Sequence, residues 1–107
     1  MESEQLSRFV ERLKTMADPY RLRIIRLLDS RELSVGEITE VLALPQPSVS
    51  RKLGELRQAG ILKKSREGKK ALYSWSKDFS QSQLRHIVMT IQSPEFLRDL
   101  TEYERLR

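Results

Sequence analysis

The sequence predicts a mainly α-helical domain carrying a β-hairpin wing. Three observations predict it: apolar residues recurring at helical spacing in several segments, a Pro-marked turn between two of them, and two strand-like runs around a Gly-containing turn. Helix, turn, helix and ribbon in that order is the winged helix-turn-helix arrangement. A chain of 107 residues has room for one such domain, spanning 1–107, with one modest core.

The first helix follows from Leu6, Phe9, Val10, Leu13, Met16 and Ala17, a periodic set that stops at Asp18-Pro19. Asp18 can cap the next helix with Pro19 in its first turn, where a missing N–H costs nothing. That second helix carries Leu22, Ile25 and Leu28 on one face. Ser34-Val35-Gly36-Glu37 is a capping box, in which Ser34 and Glu37 each satisfy the other's backbone N–H, and it opens a short helix with Ile38, Val41 and Leu42. Ala43-Leu44-Pro45-Gln46-Pro47 cannot continue that helix, because proline lacks the amide donor and pushes its predecessor out of the α region.

Pro47 suits the first turn of a helix over about 47–59, with Val49, Leu53 and Leu56 inward and Gly60 as a left-handed cap. The wing occupies about 61–76: runs 61–66 and 71–76 read as strands, joined by Glu67-Gly68-Lys69-Lys70. A fifth helix is expected over 80–92 with Leu84, Ile87, Val88 and Ile91 inward. Ser93-Pro94 restarts helical geometry toward Arg107 with Phe96, Leu97, Leu100 and Tyr103; the sequence leaves open whether this is a separate helix.

The charge is not spread evenly. Between Gln46 and Lys70 stand eight basic residues against Glu55 and Glu67, a balance of +6, whereas the rest of the chain has twelve basic and thirteen acidic residues and sums to −1. The excess therefore coincides with a helix able to enter a major groove and with the ribbon beside it, where a phosphate-neutralising surface belongs. Gln46, Ser48, Ser50 and Arg51, at or near the N-terminal end of the 47–59 helix, are the candidates for base edges: arginine can read guanine, and glutamine adenine. Lys52 and Arg57 suit phosphates, while Arg66, Lys69 and Lys70 at the ribbon tip can follow the backbone or enter a narrow minor groove.

Other chemistry is poorly supported. The absence of cysteine removes disulfides, thiolate metal sites and thiol redox sensing together. His86 is the sole histidine, with Asp78, Glu95 or Asp99 as the nearest conceivable oxygen donors, and the expectation is no metal site and no cofactor. No nucleophile with its base, phosphate-cradling Gly loop or paired carboxylate argues for an enzyme. Tyr73 and Trp75 share one strand face, which suits packing the wing against the fourth or fifth helix better than stacking single-stranded bases. No apolar run approaches the roughly 18 to 20 residues that span a bilayer, and the acidic start MESEQLSRFVERL lacks the pattern of a secretory signal, so a cytoplasmic protein without membrane contact is expected.

The run Ala17-Asp18-Pro19-Tyr20-Arg21-Leu22, then Glu32-Leu33-Ser34-Val35-Gly36-Glu37-Ile38, then Pro47-Ser48-Val49-Ser50-Arg51-Lys52-Leu53, with Gln58-Ala59-Gly60-Ile61-Leu62 and Arg66-Glu67-Gly68-Lys69, resembles the ArsR/SmtB family of winged-helix repressors over about residues 6–76. The resemblance implies a homodimer on a partly palindromic DNA operator, released by an effector. It implies a seam through the N- and C-terminal helices, with Leu6, Phe9 and Leu13 meeting Leu84, Ile87 and Ile91. It also marks departures: Ser34 and Gly36 stand where many metal sensors of the family have cysteines, and only His86 remains of the fifth-helix site others use. The effector thus stays unknown, whether a small molecule, a proton, a protein, an oxygen-ligated metal or none. Two readings of other classes stay open, a DNA-binding part of a larger enzyme or sensor, and a protein-interaction module whose basic face is incidental.

Overall fold

Local capping signals set where the helices of the computed structural model, which describes residues 3–107, begin and end. Helix α1 (Glu4–Met16) is opened by Ser3, whose hydroxyl accepts the Leu6 amide. Asp18 does the same for the Arg21 amide at the start of α2 (Pro19–Leu27). A short strand β1 (Leu33–Ser34) leads into α3 (Val35–Leu42), where both capping-box bonds form, Glu37 N–H to Ser34 Oγ at 3.2 Å and Ser34 N–H to Glu37 Oε1 at 2.9 Å. Ala43 ends α3 in the left-handed region at φ 54°. Helix α4 (Gln46–Gln58) follows after the Pro45 turn, starting one residue before the expected 47.

The end of α4 is a Schellman motif: the Ile61 amide bonds Leu56 O and the Gly60 amide bonds Arg57 O, both at 3.0 Å, with Gly60 at φ +79°. Strands β2 (Leu62–Glu67) and β3 (Lys70–Trp75) form the ribbon, in register from Leu62 opposite Trp75 to Glu67 opposite Lys70. Gly68, at φ +63°, opens the two-residue loop, as the hairpin turns that match strand twist require. The ribbon has a third strand beyond the two expected. β1 pairs with β3 through Leu33 opposite Tyr73 and Ser34 opposite Leu72, giving a three-stranded antiparallel sheet of order β1-β3-β2. Two residues are too few for a periodicity signal.

The fifth helix expected over 80–92 is the shorter α6 (Gln83–Thr90), preceded by a one-turn helix α5 (Lys77–Ser80) that was not expected. Serines make the break: Ser76 Oγ caps α5 by accepting the Phe79 amide, and Ser82 Oγ caps α6 by accepting the Arg85 amide. Pro94 opens a separate helix α7 (Pro94–Leu106).

One hydrophobic cluster joins these elements, centred on Ile24, Ile25, Leu28, Ile38, Val49, Leu53, Leu56, Ile61 and Phe79. Each such fully buried side chain contributes about 1.5–3 kcal/mol. Tyr73 is buried as expected, but Trp75 does not pin the wing to α4. Its indole Nε1–H donates to Ile25 O at 2.8 Å and its ring meets Phe79 edge-on at 5.2 Å, so the ribbon is anchored to α2 and α5. Helix α7 docks on α2 mainly through arginines. Arg23 forms a two-pronged pair with buried Asp99 (2.7 and 2.8 Å), Arg26 lies 4.7 Å from the Phe96 ring centre, and Arg31 lies 5.2 Å from that of Tyr103. Leu97, in contrast, is 68% exposed.

Candidate DNA interface

Helices α3 and α4 with the Ala43–Pro45 turn between them present α4 as the second helix of a helix-turn-helix, its Val49, Leu53 and Leu56 face sunk in the core. What α4 shows outward follows from that burial. Ser50, Arg51, Gly54, Arg57 and Gln58 are exposed, as is Gln46 at the first position, while Ser48 and Lys52 are half-buried. Arg66, Lys69 and Lys70 are exposed on the ribbon. All nine residues proposed from sequence to touch DNA therefore keep some accessible surface on α4 or the hairpin.

Ion pairing engages six arginines among the described residues, all outside α4 and the ribbon. Arg8, Arg12, Arg21, Arg23, Arg105 and Arg107 meet Glu4, Asp78, Glu55, Asp99, Glu102 and Glu104 respectively. Among the described residues, none of Arg51, Lys52, Arg57, Lys63, Lys64, Arg66, Lys69 and Lys70 has such a partner within 4 Å. Lys14, Arg26, Arg31, Lys77, Arg85 and Arg98 also lack a carboxylate within 4 Å among the described residues, so what distinguishes the eight cations of α4 and the ribbon is that they are clustered and mostly exposed. Such a surface raises the local concentration of an anionic polymer and releases counterions on contact with it.

The one acidic residue facing outward on α4 is itself neutralised, which sequence reading missed. Glu55 lies 2.7 Å from the Arg21 guanidinium of α2, and that contact holds its carboxyl below the usual carboxylate range. The pair is thus intact at neutral pH and is lost only as pH falls through that lowered value. Beside it, Lys52 sits 5.8 Å from the Tyr20 ring centre, with Arg23 5.2 Å from the same ring. Asp18-Pro19 places Tyr20 and Arg21 in the first turn of α2, but only the packing of α2 on α4 reveals which side chains they face. Arg21→Ala is expected to weaken binding to operator and random DNA alike, by roughly two- to fivefold, the range of an exposed pair. Arg21→Ala/Glu55→Gln should recover most of that loss in fluorescence anisotropy titrations. An unchanged double variant would remove Glu55 repulsion as the cause.

Two groups proposed from sequence are placed differently. Leu84 is only 2% exposed, in the core of α6, so it cannot serve a seam between protomers, and Ile91 is half-buried at the end of that helix. Its period-mates on α6 alternate between the core and the outer face, and Ile87 is the one left outside, at 50%. His86 is exposed, and no group of three or more His, Asp or Glu converges among the described residues. The three carboxylates near it in sequence are engaged elsewhere, Asp78 by Arg12, Glu95 by Ser93 and Asp99 by Arg23.

A family profile described as a helix-turn-helix domain matches residues 16–65, from the end of α1 into β2. A biofilm growth-associated repressor of Agrobacterium fabrum is 37% identical over 83 residues, covering 78% of this chain and 71% of that protein. The arsenic resistance transcriptional regulator ArsR1 of Pseudomonas putida is 38% identical, covering 79% and 72%. The chain belongs to the ArsR/SmtB-type family of winged helix-turn-helix transcriptional regulators. The crystal structure of the transcriptional repressor PagR of Bacillus anthracis superposes with a TM-score of 0.72 at 34% identity, over 85% of this chain and all of that one. In this ArsR-type regulator, the position at which the family resemblance would place a third-helix thiolate is Ser34, whose hydroxyl and amide are both committed to the capping box.

Proposed function

We propose that this ArsR-type regulator is a homodimeric repressor that binds duplex operator DNA in the cytoplasm, with α4 in the major groove and the hairpin beside it. The observation that carries this reading is the cluster of eight cations on α4 and the ribbon that have no ion-pair partner among the described residues and mostly face solvent. Arg51 stands at the centre of the exposed face, opposite Val49 and Leu53, where a groove floor would lie. The dimer reading rests on Leu6, Phe9 and Leu13 of α1 and Ile87 of α6, apolar side chains left 40–50% exposed. A stripe of that spacing on one amphipathic helix is a surface awaiting a partner. Release of the operator would follow a signal other than thiol chemistry, since the chain has no cysteine.

The discriminating experiment uses two charge deletions. Arg51→Ala should weaken the selected operator by roughly five- to hundredfold more than random DNA, the discrimination expected of one base contact. Lys69→Ala should weaken both equally and make the salt slope of the dimer shallower by about two, one for each protomer. Equal losses for Arg51→Ala on the two DNAs would reduce it to a phosphate contact, and no saturable binding to any genomic fragment would end the operator reading.

A further inference from the structure

The C-terminal end of α4 is held by a side chain from α1. Arg12 donates from Nε to the Ala59 carbonyl at 3.0 Å and from Nη2 to Asp78 Oδ2 at 2.6 Å, so one guanidinium ties α1 both to the C-cap residue of α4 and to α5, just past the ribbon. The neighbouring carbonyl, Gly60 O, is taken by Ser76 Oγ at 2.7 Å. The Arg12 side chain is largely buried, at 12% exposure, although Asp78 is not. Gly60 makes room for it: a Cβ there would come within 2.8 Å of Arg12 Nη2. Next to this bridge, α1 and the end of α4 are separated by an open groove of about 570 Å³, lined by Glu4, Ser7, Arg8, Glu11 and Gln58. The connection between the two helices is therefore narrow and polar, and Arg12 supplies much of it.

Arg12 is also adjacent in sequence to Leu13 and three residues from Phe9, on the helix whose exposed apolar stripe is the proposed seam. We infer that Arg12 is a positioning residue that sets the distance and angle between the two recognition helices of the dimer, by fixing each α4 to the α1 that joins the protomers. This rests on the homodimer proposed above. Two half-sites lie about one helical turn, 34–36 Å, apart on the duplex. A dimer whose α4 is rigidly referred to α1 therefore accepts one separation and rejects its neighbours, and loosening the reference lets it tolerate several. Arg12 makes no contact with DNA in this scheme, and its effect is confined to paired half-sites.

The test measures affinity for the operator recovered by selection of bound fragments, for the same operator with one base pair inserted or removed between half-sites, and for random DNA. Wild type should discriminate between spacings by at least about tenfold. Arg12→Gln should lose about tenfold on the native spacing, flatten the preference across spacings, and bind random DNA within about twofold of wild type. Arg12→Lys, which keeps the charge but cannot bridge both partners, should behave as Arg12→Gln does. Asp78→Asn removes only the exposed arm and should flatten the preference in part; it carries the comparison alone if the Arg12 variants do not fold. Spacing discrimination retained in folded variants, or equal losses on operator and random DNA, would overturn the clamp. A wild type that light scattering finds monomeric on and off DNA would overturn the homodimer reading itself, whatever the variants do.

Discussion

Raising salt from about 50 to about 200 mM should lower the affinity of this regulator for its operator by roughly ten-thousandfold. Among the described residues, the eight cations of α4 and the ribbon, Arg51 through Lys70, have no carboxylate within 4 Å. If four of them neutralise phosphates in each protomer, the dimer releases about eight condensed counterions, and log affinity falls against log salt with a slope near −7. The arginines that pair with Asp78, Glu55 and Asp99 contribute nothing to that slope, because their charge is already spent inside the fold. The measurement is an anisotropy titration of labelled operator at four or more salt concentrations. A slope shallower than about −2 would mean that the basic face is incidental and the protein an interaction module.

The architecture was legible in the sequence where a local signal has a local consequence. The capping box at Ser34 and Glu37, the Pro45 turn and the Gly60 cap each act within a few residues, and each forms where expected. The features missed depend on partners far along the chain. β1 is two residues long and exists because β3 offers it a ladder, so Leu33-Ser34 carries no alternation to detect. The one-turn helix α5 is too short to carry a periodic stripe, and the serine caps Ser76 and Ser82 that delimit it were the only local signals for it. Trp75 meets the fifth-helix region, one of the two expected neighbours, through Phe79 and Arg85, but its bond to Ile25 O of α2 was not legible, since period two gives a face and not the helix behind it.

The candidate interface divides the same way. Which residues of α4 point outward follows from burying Val49, Leu53 and Leu56, and the basic excess of the ribbon is a count. Neither says which charges are available. That depends on Arg21 reaching Glu55 and Arg12 reaching Asp78, contacts between residues 34 and 66 positions apart. The seam residues show the limit of periodicity from another side: Leu84 and Ile87 lie on one helix three residues apart, yet one is core and the other surface, because the buried face is centred on Leu84 and Val88 and Ile87 lies about 60° round the helix from Leu84.

Asp99→Ala should destabilise the protein by about 3 kcal/mol, the cost of leaving one member of a mostly buried ion pair unpaired. The Asp99 side chain is 4% exposed and that of Arg23 16%, and the two meet through two parallel charge-assisted bonds of 2.7 and 2.8 Å. The raise that Asp99 gives the Arg23 pKa is lost with it, but a guanidinium does not deprotonate near neutral pH in any case, so Arg23 stays charged after its partner is removed. Tyr20, 5.2 Å away, compensates only weakly through its ring. The pair is also the polar centre of the α7 dock, between Arg26 on Phe96 and Arg31 on Tyr103, so the loss should fall first on α7 and show as faster proteolysis of residues 94–107. Replacing both partners with apolar residues, Arg23→Met/Asp99→Leu, should cost far less than Asp99→Ala alone, because no charge is then stranded. Urea unfolding followed by circular dichroism, at one fixed protein concentration since dimerisation adds to apparent stability, checks both variants. A loss below about 1 kcal/mol for Asp99→Ala would show that water reaches Arg23 as α7 relaxes, and that the apolar contacts of Phe96 and Tyr103 hold the helix without the pair.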